Sequence, residues 1–378
     1  MANINRNQPK IAKDPRNLRV LVVPLDWGLG HATRCIPVIY ELIKTGADVW
    51  IAGEGAQLAI LRSHFPDLPF INLPGYQIKY ARKAWWLLFD LTLQMPRLLL
   101  RIRAEHRWLN RQMKHHDFDV VISDNRYGLY HSRAASIFIT HQLLIKVPFG
   151  NWIQRQLQKA NYRRISRFRE CWVPDFEGHP NLAGQLSHPN VMPISPIRYI
   201  GPLSRLTKLN IPITKGHLFI SLSGPEPQRT ELENRVIDAL SHYAGTATVV
   251  RGLPDESRLI PSTNDIHFHN HLSADLYAAE MAKAAHVICR SGYSTVMDII
   301  AMGKQAILIP TPGQPEQEYL GQYLEAEGIA CQVRQSDFHL DSILEKAARF
   351  NYQTPINFDP NALAGHIAQV VNSITPQL

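Results

Sequence analysis

His31 closes the loop Leu25-Asp26-Trp27-Gly28-Leu29-Gly30-His31 of a 378-residue chain, between an apolar run and the first residues of a helical pattern. A neutral imidazole at such a place can take a proton from a hydroxyl near neutral pH. Gly28 and Gly30 let a ligand approach the backbone closely. Asp124 ends Val120-Val121-Ile122-Ser123-Asp124, where it could orient a basic His or act as the base itself, and His141-Gln142 follow Ile137-Phe138-Ile139. Equally, each of these side chains is suited to capping a helix. A second constellation is Arg290-Ser291-Gly292, a small-residue turn followed by Ser294 and Thr295 as candidate N-caps and by Asp298 one turn further on. The free N–H groups of a helix that starts there form an anion site suited to a diphosphate, and Asp298 could accept from the two hydroxyls of a ribose. Read from spacing alone, the same residues also make an ordinary turn between a strand and a helix.

The elements that must hold these residues are strands of a parallel type. Leu18 to Pro24, Asp48 to Ala52, Val120 to Asp124, Leu218 to Leu222, Val287 to Cys289 and Ala306 to Ile309 are short apolar runs of the length of buried parallel strands. Ile36, Val38, Ile39 and Leu42 line a helix after the first of them, and Val296, Ile299 and Ile300 line another that Gly303 stops. In a doubly wound domain the loops after the strands meet at one edge of the sheet, so His31, Asp124, His141 and Gln142 are expected to face one cleft. Ser223-Gly224 begins a second small-residue loop before the helix Glu231 to Leu240, and is a further candidate phosphate cradle.

The stretch from Arg290 to Pro310, continued by GQPEQEYLGQYLEAEGIA, resembles the nucleotide-sugar half of family 28 glycosyltransferases, typified by the lipid I N-acetylglucosaminyltransferase of peptidoglycan synthesis. The resemblance covers roughly the last third of the chain and, near its start, the motif Gly28-Leu29-Gly30-His31-Ala32-Thr33-Arg34, where the family more usually reads GGTGGH. It implies the GT-B fold, α/β with two Rossmann-like doubly wound domains across a cleft. It implies His31, or else Asp124, as the base beside the acceptor, with Gly28, Gly30, Arg34 and His141 around it. On the donor side it implies Ser223 and Gly224 near the diphosphate, Arg251, and His271 and Leu272 in the uracil loop. Arg290, Ser291, Gly292, Ser294, Thr295 and Asp298 would surround the diphosphate and ribose. Gln317-Glu318 stands where paired glutamines hold the hydroxyls of the donor sugar. A carboxylate there accepts but cannot donate, so the donor hexose is expected to differ from N-acetylglucosamine.

Length and composition suit two domains, expected as 18–202 for the acceptor and 203–378 for the nucleotide sugar, after a basic tail 1–17 and with the last helix crossing back. Residues 1–203 carry 27 Lys and Arg against 14 Asp and Glu, a net +13, whereas the remainder carries 13 against 18, a net −5. One domain is therefore expected to meet an anionic partner. Trp85, Trp86 and the leucines that follow are interleaved with Arg97, Arg101, Arg103 and Arg107 on helical segments either side of Pro96. That pattern suits an interfacial helix on an anionic membrane surface, with Trp85, Trp86 and Arg101 as its face; a core-facing helix with a solvated basic side fits equally. No nucleic-acid motif accompanies the charge. No apolar run has the length of a membrane span and the first residues are polar, so a cytoplasmic protein, peripheral on the inner face of the membrane, is expected. The four cysteines have no metal-ligand spacing. His267, His269 and His271 alternate, which suits a metal site less well than backbone contact to a base, because no Cys or carboxylate stands at ligand spacing.

These observations converge on an inverting, metal-independent hexosyltransferase that uses a UDP-sugar and a lipid-linked or glycolipid acceptor, with no cofactor. Arg290 and the helix N–H groups would stabilise the leaving diphosphate. A nucleotide-sugar epimerase of the same fold, and a non-catalytic nucleotide-sugar-binding membrane protein, remain as alternatives.

Overall fold

The computed structural model describes residues 17–26, 28–76, 87–147, 150–254, 256–353, 359 and 361–374, with the side chains of 87–95 and 151 left aside. Trp85, Trp86 and the tail before residue 17 therefore lie outside the described residues.

The first half runs β1 (Arg19–Val23), α1 (Leu29–Lys44), β2 (Asp48–Gly53), α2 (Gly55–His64), β3 (Phe70–Asn72), α3 (Leu87–His116), β4 (Val120–Asp124), β5 (Ala135–Ile139), α4 (Gly150–Ile165), β6 (Glu170–Val173) and β7 (Ile197–Tyr199). The second half runs β8 (His217–Ser221), α5 (Gln228–Leu240), β9 (Thr246–Val250), β10 (Ile266–His269), α6 (Ala274–Lys283), β11 (His286–Cys289), α7 (Tyr293–Met302), β12 (Ala306–Leu308), α8 (Pro315–Ala326), β13 (Cys331–Gln332), α9 (Leu340–Arg349) and α10 (Ala362–Ile374). The strands form two parallel sheets, ordered β3-β2-β1-β4-β5-β6-β7 and β10-β9-β8-β11-β12-β13. In each sheet the order reverses beside the first strand, between β1 and β4 and between β8 and β11. A crevice opens at the carboxyl ends of the strands at such a reversal, and His31, Asp124 and the Arg290 turn all follow those strands.

The apolar runs are buried because helices cover both faces of each sheet. Val20, Val22, Ile51 and Ile137 pack with the inner stripe of α1, Cys35, Ile36, Val38 and Ile39, in a cluster that continues through Leu203 and Leu206 into Tyr293, Val296 and Met297 of the second domain. Each such side chain contributes about 1.5–3 kcal/mol by burial. Leu363 and Ile367 of α10 belong to the same cluster, so the final helix lies against the first domain. Arg169 donates to Ser373 Oγ on that helix at 3.3 Å.

Two details differ from expectation. Gly292 is the N-cap of α7 and no side chain caps it, so Ser294 and Thr295 stand inside the first turn rather than as caps. Gly303 ends that helix in the left-handed conformation, as its position implied. Pro96 does not divide the basic stretch: α3 is one helix of 30 residues. Its inner side carries Ile102, Trp108, Leu109 and Met113, and Glu105 is buried against Arg126 at 2.6 Å. Arg103, Arg107, Arg111 and Lys114 face solvent, with Arg101 half-buried. Among the described residues, no helix is long and apolar enough to cross a membrane. All four cysteines are buried and free.

Candidate active site at the domain interface

Four side chains of the first domain converge behind the loop that carries His31. Arg34 lies on α1 one turn after His31, and Asp124 is the last residue of β4. Their side chains are 2% and 0% exposed. Arg34 Nε donates to both carboxylate oxygens of Asp124 at 2.9 and 3.0 Å, and its Nη2 donates to Oδ1 as well. His31 Nδ1 stands 2.9 Å from Asp124 Oδ2 and 2.8 Å from Arg34 Nη2. Arg34 Nη1 reaches His141 Nδ1 at 3.4 Å. Burial works to raise the pKa of Asp124, but Arg34 and His31 outweigh it and hold the carboxyl below its ordinary range. Asp124 is thus an ionised, enclosed partner, fitted to orient a histidine rather than to take a proton from a substrate. Burial, with Arg34 beside it, lowers the pKa of His31, so the imidazole is neutral at neutral pH. Its side chain keeps 15% exposure, and its other ring nitrogen is not among the hydrogen bonds to Asp124 or Arg34.

The second domain meets this group directly. Ser294 Oγ, in the first turn of α7, donates to the carbonyl of Gly30 at 3.2 Å. A Cβ at Gly30 would lie 2.6 Å from that hydroxyl, so only glycine permits the approach. The N-termini of α1 and α7 therefore meet at this contact, and the first N–H groups of each helix have no intrahelical partner. Tyr293 stacks on His141, with ring centroids 4.1 Å apart and planes 9° from parallel. Glu316, at the start of α8, accepts from His141 Nε2 at 2.8 Å and from Gln142 Nε2. Burial tends to raise its pKa, but His141, His31 and Arg34 outweigh that and lower it.

Several expected donor-side residues are engaged elsewhere. Arg290 is fully buried, and its guanidinium donates to the carbonyls of Ser223, Ile309, Pro310 and Gln228. Burial lowers its pKa to about 10. It ties together the loops that follow β8, β11 and β12. Arg251 is likewise structural: it pairs with Glu233 through Nε at 2.6 Å and Nη2 at 3.2 Å, and Nη1 bonds Asn270 Oδ1. Gln317 accepts from Thr311 N and donates to Gln314, while Glu318 accepts from Gly313 N. Both polar groups close their own loop, and the side chain of this stretch that enters the cleft is Glu316. Ser291 Oγ donates to the carbonyl of Gln317, which fixes the α8 loop to the α7 turn.

Ser223 and Gly224 are exposed in the loop after β8, His271 is exposed, and Leu272 is buried at the start of α6. Asp298 accepts from Ser204 Oγ at 2.6 Å, a residue of the segment between the two sheets. Burial raises its pKa to about 6, against the pull of Ser204 and Arg205. Together with burial, Arg205 also lowers the pKa of His64 and of His271, so this linker residue lies close to both. Sequence reading passed over Ser204, Arg205 and Glu316. The first two lie in a Pro-rich linker with no pattern, and an acidic residue in the first turn of a helix is ordinary. Among the described residues, no cluster of three metal-ligating side chains forms, at the alternating histidines or elsewhere.

Residues 263–361 match the glycosyltransferase family 28 C-terminal domain. Over 92% of its length the chain is 27% identical to the UDP-N-acetylglucosamine–N-acetylmuramyl-(pentapeptide) pyrophosphoryl-undecaprenol N-acetylglucosamine transferase of Serratia proteamaculans, of which it covers 94%. It is 24% identical to an uncharacterised glycosyltransferase of Methanosarcina acetivorans, over 82% of this chain and 84% of that one. Among solved structures, the glycotransferase of kitacinnamycin superposes with a TM-score of 0.62 at 15% identity, covering 95% of each chain. Acinetobacter baumannii MurG superposes with a TM-score of 0.55 at 14% identity, over 94% of this chain and 99% of that one.

Proposed function

Because this chain is a glycosyltransferase of family 28 type with the GT-B fold, we propose that it moves a hexose from a UDP-sugar to a hydroxyl of a lipid-linked or glycolipid acceptor at the inner membrane surface, with inversion of the anomeric centre. The observation that carries this reading is the meeting of His31, backed by buried Asp124, with the N-terminus of α7 across the Ser294–Gly30 contact. A base and an anion site so placed flank one position for an anomeric carbon.

The acceptor O–H gives its proton to Nε2 of His31 while its oxygen forms the new bond to the anomeric carbon. On the opposite face, the bond from that carbon to the diphosphate oxygen breaks, and the electron pair leaves with UDP. Asp124 keeps the proton of His31 on Nδ1 and offsets the imidazolium that forms. N–H groups of the first turn of α7 meet the charge on the diphosphate, in place of the buried Arg290. Asp298 accepts from the ribose hydroxyls, and Leu272 with the His271 backbone lines the base. Donor binding on this reading requires neither an added metal ion nor a cofactor.

The UDP-N-acetylglucosamine donor and lipid-linked acceptor in the name of the Serratia relative support the substrate classes. Exposed Leu99 and Leu100 lie beside the exposed Arg97 and Arg103 on α3, which supports a peripheral membrane face there.

Calorimetric titration of UDP, GDP and dTDP into the wild type and Asp298→Ala, without added divalent metal, tests the donor site. Selective UDP binding that the substitution weakens is the expected result, and binding of none of the three refutes it. Incubation of a bound UDP-sugar without acceptor then separates transfer from epimerisation: a new UDP-sugar appearing under those conditions contradicts the transferase mechanism.

A further inference from the structure

Among the described titratable side chains around His31, Glu316 alone comes from the donor domain; Arg34, Asp124 and His141 belong to the acceptor domain. Arg34 can only donate. Its Nη1 faces Nδ1 of His141, so that nitrogen presents its lone pair and Nε2 carries the proton. That proton has Glu316 Oε1 as its acceptor, at 2.8 Å. The ring is held from the other domain a second time, by its stack on Tyr293.

His31 Nδ1 stands between two competing partners. If it accepts from Arg34 Nη2, the proton sits on Nε2 and the imidazole cannot take another from a substrate. If it donates to Asp124 Oδ2, Nε2 is free to act as the base. The two distances, 2.8 and 2.9 Å, are nearly equal, so the orientation of the guanidinium decides. His141 holds Nη1 on the far side of that planar group from His31.

We propose that Glu316 is a positioning residue for the base: from the donor domain its carboxylate fixes His141, His141 draws Nη1 of Arg34 toward itself, and the guanidinium so turned biases Nδ1 of His31 toward Asp124. The inference rests on the reading of His31 as the base.

Among the described residues, the charged and titratable groups facing His31 are Arg34 of α1, Asp124 of β4, His141 after β5 and Glu316 of α8, with the Cys35 thiol behind Asp124. Glu316 opposes the charge of Arg34, so its neutralisation leaves His31 harder to protonate. The test is nitrogen-15 NMR of histidine-labelled full-length protein with UDP bound, the His31 signals being assigned by their loss in His31→Gln. In the wild type, His31 is expected as the Nδ1–H tautomer. In Glu316→Gln, a mixture with the Nε2–H tautomer is expected, and the His31 titration midpoint falls by roughly half a unit or more. His141→Phe keeps the stack on Tyr293 but cannot hold Arg34. It should produce the same change, and the double variant should add little, because both act through one relay.

An unchanged His31 tautomer and midpoint in both single variants overturns the proposal, as does full additivity in the double variant. UDP affinity in Glu316→Gln should stay within about twofold of the wild type, because Glu316 acts through His141 and Arg34. Transfer activity retained by His31→Gln would instead remove the base reading itself, whatever the tautomer does.

Discussion

Replacing Asp124 with Asn separates the electrostatic role of that residue from the chemistry it supports. The side chain is 0% exposed and receives hydrogen bonds from Arg34 and His31. Asn keeps the shape but removes the charge, so Arg34 stays buried without its main counter-ion. Breaking a buried pair in this way costs about 3–5 kcal/mol. Glu316 lies beyond His141 and offsets part of the charge on Arg34, which places the expectation near 3 kcal/mol. For a domain of this size that is a fall in Tm of about 6–12 °C. The pH dependence follows in sign. Asp124 has a depressed folded-state pKa, so its stabilisation is present above the unfolded value of about 3.9 and is lost as the pH falls through the folded value. The gap between wild type and variant should accordingly close on acidification below about pH 4. Transfer should fall by about 10⁴, the order seen when the carboxylate that orients a catalytic histidine is neutralised. The double replacement Arg34→Met with Asp124→Leu removes both charges and should recover most of the stability while remaining inactive. Differential scanning calorimetry with a donor-turnover assay measures both quantities. A single variant as stable as the wild type, or a double variant that still transfers sugar, would refute the argument.

His31→Ala should lower kcat by about 10²–10⁴ and leave UDP affinity by calorimetry within about twofold, because the side chain lies on the acceptor side. Asp298→Asn should weaken UDP binding by about 1.5–3 kcal/mol, the value of hydrogen bonds to a charged group. With a pKa near 6 in the free protein, wild-type affinity should also fall as the pH drops below 6, and the Asn variant should lose that dependence. Arg290→Ala should destabilise the second domain by at least about 2 kcal/mol, since four carbonyl groups lose a donor, those of Ile309 and Pro310 in buried bonds. Lys at that position cannot replace the fork and should recover little of the loss in urea denaturation. Leu99→Asp with Leu100→Asp should abolish flotation with anionic liposomes if α3 docks on a membrane, and an absence of flotation by the wild type refutes that face.

The legible part of this protein was the part with a period or a motif. Parallel strands buried on both faces read as short apolar runs, so β1, β4, β8 and β11 could be placed, and with them the two points where the strand order reverses. A loop residue that follows such a strand has its position dictated by the sheet, which is why His31, Asp124 and His141 emerge together although 93 residues separate the first two and 17 the last two. What a residue does at that place is less legible. Arg290 and Arg251 both follow strands at the cleft, yet each guanidinium turns inward, because carbonyls at converging loop ends and the carboxylate of Glu233 offer it partners. Type and spacing are the same for a side chain that waits for a ligand and for one that satisfies the backbone.

Contacts between the domains were the least legible, for a related reason. Glu316 belongs to a helix N-terminus, where an acidic residue needs no explanation beyond the dipole, and its partners His141 and Gln142 lie some 175 residues away. No local pattern encodes such a pairing. Its consequence nonetheless runs back to the first motif: Arg34 stands between the imidazoles of His31 and His141, and His141 is bound by Glu316 of the other domain.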